Sequence, residues 1–105
     1  MALAEQKNKP QGEADLLSRE EAERMAKEVP QWNLKDKALE REFRFKNFRE
    51  AMDFVNRLAN VAEEQNHHPD ICISYNKVRL EVSTHRIGGL SKNDFALAAK
   101  IDKLV

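Results

Sequence analysis

Between Asn47 and Gln65 the apolar residues recur at helical spacing, with Phe48, Ala51, Met52, Val55, Leu58, Ala59 and Ala62 marking one face. A segment of that length makes an amphipathic helix of roughly five turns, and its apolar face needs a partner layer. In a chain of 105 residues a single sheet cannot cover both faces of such a helix. Phe54 and Val61 fall beside the stripe, seven residues apart. They have two readings: a contact with a second subunit, or a widened core face.

Sheet material flanks this helix on both sides. Upstream, Trp32 to Leu34 reads as a brief extended piece. After the Lys35-Asp36-Lys37 turn, Ala38 to Phe45 alternates, with Leu39, Phe43 and Phe45 on one side and Glu40, Glu42 and Arg44 on the other. Arg41 breaks the apolar side, which suggests a sheet edge or an interface. Downstream, Ile71, Ile73 and Tyr75 alternate with Cys72 and Ser74, and Val78, Leu80 and Val82 alternate with Lys77, Arg79 and Glu81. A turn at Asn76-Lys77 makes these two runs a β-hairpin. Tyr75 reads as a strand core residue with a hydrogen-bonded tip, and Trp32 as a packing anchor.

Helices bracket the sheet. Ser18-Arg19-Glu20-Glu21 has the form of a capping box, with Leu17 placed to staple onto Ala22, and Ala22, Met25, Ala26 and Val29 recur before Pro30. Ser91-Lys92-Asn93-Asp94 opens a last helix carried by Leu97, Ala98, Ile101 and Leu104. The expected fold is therefore α+β: one four-stranded antiparallel sheet with helices packed on a single face, in the order α-β-β-α-β-β-α. Residues 1–15 are polar, contain Pro10 and Gly12, and read as a flexible tail before a domain spanning 16–105. An uncovered strand edge in such a sheet could be removed by continuing it across a two-fold axis.

Composition removes several function classes. Formal net charge is zero, and the charged residues, 34% of the chain, alternate in sign, so no nucleic-acid partner is expected. No apolar run approaches the roughly 20 residues of a membrane span. The first residues lack a secretory pattern and the single Cys72 has no internal disulfide partner, so a cytoplasmic location is expected.

All three histidines lie beyond the long helix, as His67-His68 before Pro69 and as His85. Imidazole titrates near neutrality and can donate or accept a proton, so three converging on one pocket would suit chemistry made only of proton transfers. Strand parity turns His85 away from the layer of Val78, Leu80 and Val82. A histidine pair before a proline is by itself more often a surface helix end. Three histidines can also hold zinc, but adjacent residues point in different directions and no zinc-hydrolase carboxylate motif accompanies them. Glu63 stands one helical turn before His67 and can reach and orient that ring if the helix continues. Asp94 either caps the last helix only or also supports the His85 loop.

Together these residues carry a resemblance. Glu63-x-x-x-His67-His68-Pro69, Tyr75, Thr84-His85, Gly89-Leu90-Ser91 and Asp94 resemble, in type and in spacing, the pterin-4a-carbinolamine dehydratases. This family is also called the dimerisation cofactor of a homeodomain transcription factor. The similarity extends to Trp32-x-Leu34, Phe43-x-Phe45 and Tyr75-Asn76-Lys77-Val78, and covers most of Ser18 to Leu104. Ile71 departs from it, standing where many relatives carry an aromatic, and Arg86-Ile87 falls in a variable segment.

The resemblance implies a 4a-hydroxytetrahydrobiopterin dehydratase. Such an enzyme eliminates water from the 4a-hydroxytetrahydropterin left by aromatic amino acid hydroxylases, giving quinonoid dihydropterin for recycling. It implies His67, His68 and His85 as the catalytic set, with His67 and His85 moving protons and His68 binding and orienting the pterin. Glu63 and Asp94 would support them, and Ser83 and Thr84 would offer groups to the pterin edge. No metal or other cofactor is implied, since the pterin is the substrate. Partners implied are that small molecule and further copies of the chain, as a homodimer or homotetramer. The alternative is a non-catalytic interaction, assembly or coactivator module on the same fold.

Overall fold

The computed structural model describes residues 16–105; the stretch read above as a tail lies outside the described residues. Ser18 is extended, its hydroxyl accepts from the Glu21 N–H at 3.2 Å, and the Glu21 carboxylate accepts from the Ser18 N–H at 3.1 Å. Helix α1 (Arg19–Ala26) thus begins at the expected capping box. Val29, beyond the helix, is buried in the turn that follows.

Four strands form one antiparallel sheet: β1 (Asn33–Leu34), β2 (Leu39–Arg44), β3 (Asp70–Ser74) and β4 (Lys77–Val82), in spatial order β1-β2-β4-β3. Between the strand pairs lies α2 (Phe48–Gln65), and α3 (Lys92–Asp102) closes the chain, so the α+β order is as expected. Register pairs Leu39 with Val82 and Phe43 with Val78, setting one apolar row toward the helices. Glu40, Glu42, Arg44, Lys77, Arg79 and Glu81 take the opposite parity and form a charged outer face.

Arg41 corrects one expectation. It lies on the inner face of a central strand, opposite Leu80, and not at a sheet edge. Its guanidinium stacks over Phe43 at 4.2 Å and reaches Asp102 at 2.5 Å. The Trp32 indole N–H donates to the same Asp102 oxygen at 2.8 Å. One carboxylate at the end of α3 therefore satisfies two donors and ties the helix to the sheet.

The phase of α2 is also rotated from the expected one. Its buried residues are Ala51, Phe54, Leu58 and Ala62, while Phe48 remains 50% exposed and Ala59 faces outward. Phe54 is a core residue, with ring centroids 4.7 Å from Phe43 and 5.0 Å from Phe45, and Val61 packs partly buried against that core. The subunit-contact reading of this pair is thereby replaced by the widened-core reading. Burying the Phe54 ring inside an aromatic cluster removes more apolar surface than burying Met52 would, and this selects the helix rotation.

At the hairpin the turn residues are Tyr75 and Asn76, with Ser74 and Lys77 as the closing pair. Tyr75 sits in left-handed backbone at φ 53° and is 66% exposed, so it is a turn residue rather than a core residue. Asn76 holds the turn down: its side-chain amide donates to the Phe45 carbonyl at 2.9 Å, and its own carbonyl accepts from Phe45 N–H at 2.8 Å. Every residue of β3 is exposed, including Ile71 and Ile73 on the helix-side parity, because β3 is an edge strand that no helix covers.

Candidate functional site

Asp70 at the start of β3 pairs with Glu81 near the end of β4. Two loops therefore leave the sheet at the same end of neighbouring strands: the one carrying His67 and His68, and the one carrying Ser83, Thr84 and His85.

The first loop is shaped by the end of α2. Asn66 adopts left-handed backbone at φ 51°, and the His67 N–H donates to the Ala62 carbonyl at 3.1 Å, a Schellman-type closure. The chain turns sharply there, so His67 points inward and His68 outward. His67 is 1% exposed and its Nε2–H donates to Asp94 Oδ1 at 2.6 Å. His68 is 53% exposed and its Nε2 lies 2.5 Å from Glu63 Oε2. Glu63 was expected to reach His67; because the helix does not continue past Gln65, it meets the next imidazole instead.

Asp94 joins the two loops. Its Oδ2 accepts from the Thr84 hydroxyl at 2.8 Å and from the Ser91 N–H at 2.8 Å, while Oδ1 takes the His67 ring. Proton directions follow from counting. Thr84 has one hydroxyl proton and gives it to Asp94, so the Ser91 hydroxyl donates to Thr84 Oγ1 at 2.8 Å. Ser91 Oγ in turn accepts from the Asn93 N–H at 3.2 Å at the start of α3. Both readings of Asp94 hold at once: it is the capping-box residue of α3, and it supports the loop of His85 through Thr84. Its bond to His67 was not anticipated, because nothing local in sequence joins positions 27 residues apart.

The loop of His85 is closed by the Thr84 N–H donating to the Gly89 carbonyl at 2.8 Å, with a 3-10 turn over His85–Ile87 between them. His85 is 71% exposed; its Nδ1 lies 3.5 Å from the Ser83 hydroxyl and its Nε2 lies 3.9 Å from Asp70 Oδ2. Thr84 is fully buried with its hydroxyl directed to Asp94, so it acts as support behind His85. Ser83 is partly exposed beside the ring.

Five of the seven residues singled out from sequence thus belong to three imidazole–carboxylate pairings at one end of the sheet, His67 with Asp94, His68 with Glu63 and His85 with Asp70, while Thr84 stands behind Asp94 and Ser83 beside His85. Asp70 and the Ser91 hydroxyl were missed as members. Asp70 had a signal, since it directly follows His67-His68-Pro69 and begins the strand that runs beside β4. Among the described residues no group of three His, Cys, Asp or Glu side chains is arranged to hold a metal ion, and no helix is long and apolar enough to cross a membrane.

Comparison with known proteins identifies the family. The family model for pterin 4 alpha carbinolamine dehydratase matches residues 15–104. A protein of Rubrobacter xylanophilus provisionally named pterin-4-alpha-carbinolamine dehydratase is 51% identical over 97% of this chain and 97% of its own length. One of Nitrosomonas eutropha with the same provisional name is 48% identical over 98% and 93%. The solved structure of a transcriptional coactivator/pterin dehydratase from Brucella melitensis superposes with a TM-score of 0.81 at 29% identity, covering 86% of this chain and 98% of that one. A pterin dehydratase-like protein described as a RuBisCO assembly factor in the alpha-carboxysome superposes at 0.58 with 26% identity, over 70% of this chain and 84% of that one.

Proposed function

Since the chain belongs to the pterin 4 alpha carbinolamine dehydratase family, we propose that it dehydrates 4a-hydroxytetrahydropterin to quinonoid dihydropterin, as a hydro-lyase that recycles a hydroxylase cofactor. One observation carries the reading: each of the three family histidines has its own carboxylate, and all three stand on two loops at one end of the sheet.

The elimination needs two proton transfers. Hydroxide leaves poorly, so an acid protonates the 4a oxygen as the carbon–oxygen bond breaks and water departs. A base removes the proton from the ring nitrogen as the carbon–nitrogen double bond forms. Nothing is oxidised or reduced, and the reaction as written calls on no further cofactor. His67 and His85 are the proposed proton carriers. Asp94 fixes the ring plane of the buried His67, while His85 stands open to an incoming ligand. His68, held by Glu63 through Nε2, binds and orients the pterin with the rest of its ring. Each proton transfer is worth on the order of 10²–10⁴-fold.

The test generates the carbinolamine with a pterin-dependent hydroxylase and follows its decay spectroscopically. Added protein should accelerate the decay, and His85→Ala and His67→Ala should each lower kcat by about 10²-fold or more. His68→Ala should raise KM more than it lowers kcat. Decay that is indifferent to the protein would refute the dehydratase reading.

A homo-oligomer accompanies this proposal. The β3 edge offers unpaired backbone groups together with Ile71, Ile73 and Tyr75, and α2 offers the exposed Phe48 with the half-buried Met52 beside it. The same exposed surfaces favour the second reading, a binding or assembly role on this fold, beside catalysis rather than in place of it. A cytoplasmic location suits the exposed free thiol of Cys72.

A further inference from the structure

The loop that presents His85 is held from two sides. On one side Asp94 grips Thr84. On the other lies the segment that leads into α1, which sequence reading treated only as a hydrophobic staple. There the Leu17 N–H donates to the Leu90 carbonyl at 2.9 Å, immediately after the Thr84–Gly89 bridge that closes the loop. Leu17 packs partly buried against the core, whereas Leu16, 59% exposed, lies across Gly89. Space is the telling observation. A Cβ added at Gly89 would stand 2.8 Å from Leu16 Cδ1 and, apart from its own chain neighbours, would meet no other described atom within 4 Å. Gly89 is not in left-handed backbone, unlike Gly88 at φ 75°, so it is not turn geometry that excludes a side chain there. A side chain there instead requires the Leu16 terminal methyl to move aside. A cavity of about 240 Å³ lies beside this contact, lined by Leu16, Leu17 and Gly89 on one side and by Asp36 and Lys37 of the turn on the other.

We propose that Leu16 and Leu17 are positioning residues: the segment entering α1 straps the Thr84–Gly89 loop and sets where the His85 imidazole stands. The strap acts through the loop backbone and touches no reacting atom. This inference rests on the dehydratase reading for its kinetic consequence but not for its structural one.

Two mild substitutions test it in the full chain. Gly89→Ala pushes Leu16 from its seat, and Leu16→Ala removes the strap's side chain from an exposed position, so neither threatens the core. Both should shift or broaden the His85 ring resonances in NMR spectra while leaving those of His67 and His68 in place. Both should lower kcat by roughly tenfold with KM nearly unchanged, because a displacement of about 1 Å in a catalytic group costs up to about 10²-fold. In the double variant the methyl of residue 89 occupies space that Leu16 vacated, so the two losses should be less than additive. Unchanged His85 resonances in both folded variants would overturn the strap, as would strictly additive kinetic losses. Should the native protein lack dehydratase activity, the function proposed above falls, and the His85 resonances alone then decide for or against the strap.

Discussion

Asp94 is the side chain on which most of the site converges, and its consequences can be measured apart from any substrate. It accepts from His67, Thr84 and Ser91 in a region with almost no exposure. Asp94→Ala would strand three buried donors, each costing about 1–3 kcal/mol, so chemical denaturation should show a loss of several kcal/mol. Thr84→Val preserves shape and removes one donor; a loss of about 1–3 kcal/mol is expected, with His67 still held by Asp94. His85→Ala, by contrast, should leave the denaturation midpoint almost unmoved because its ring is 71% exposed. Identical stability losses for Thr84→Val and His85→Ala would contradict this division between support and presentation. Residue types and spacings pointed to Glu63, His67, His68, Ser83, Thr84, His85 and Asp94 in the sequence. They could not reveal which imidazole meets which carboxylate, because that depends on the left-handed turn at Asn66, which rotates His67 inward and hands Glu63 to His68.

Among the elements, α1 is short and depends on its cap. The Glu21 carboxylate is held below its ordinary value, first by the backbone N–H of Ser18 and then by the Ser18 hydroxyl, with nearby cations adding to it. Since the folded value is lower than the unfolded one, the cap stabilises fully above the ordinary glutamate range and loses that contribution as pH falls through the folded value. Glu21→Gln keeps the box geometry without the charge. Its stability gap from the native protein should therefore be widest near neutrality and close as the pH falls through and below the ordinary glutamate range, read by denaturation at each pH. A gap independent of pH would argue against the carboxylate's role. In α2 the decisive contrast lies between neighbouring faces. Phe54→Ala should cost about 3–5 kcal/mol, as a fully buried ring in an aromatic cluster, while Met52→Ser on the outer flank should cost far less. Equal losses would mean that the helix rotation described above is wrong. The periodicity of this helix was plain in the sequence, but its phase was not: apolar residues occupy an arc wider than one sheet can cover, and several rotations satisfy the pattern equally.

For the assembled domain, the open question is what covers β3. A fully exposed edge strand bearing Ile71 and Ile73 is a pairing surface unless something blocks it. Ile73→Lys places a charge on that face without touching the core, and light scattering should report a smaller particle than the native protein gives. An unchanged mass would count against the proposed subunit contact through β3. Read alone, the sequence determined the element order, the caps of α1 and α3, the antiparallel hairpin and the family. Each of these rests on local periodicity or on residues close together in the chain, where φ/ψ preference and side-chain spacing leave little choice. Only the tertiary structure decided the rotation of α2, the inward place of Arg41 against Asp102, the pairing of each histidine and the clasp of Leu16 on Gly89. Those outcomes depend on packing between segments far apart in sequence, where competing arrangements expose the same pattern and differ only in how much surface and how many donors they satisfy.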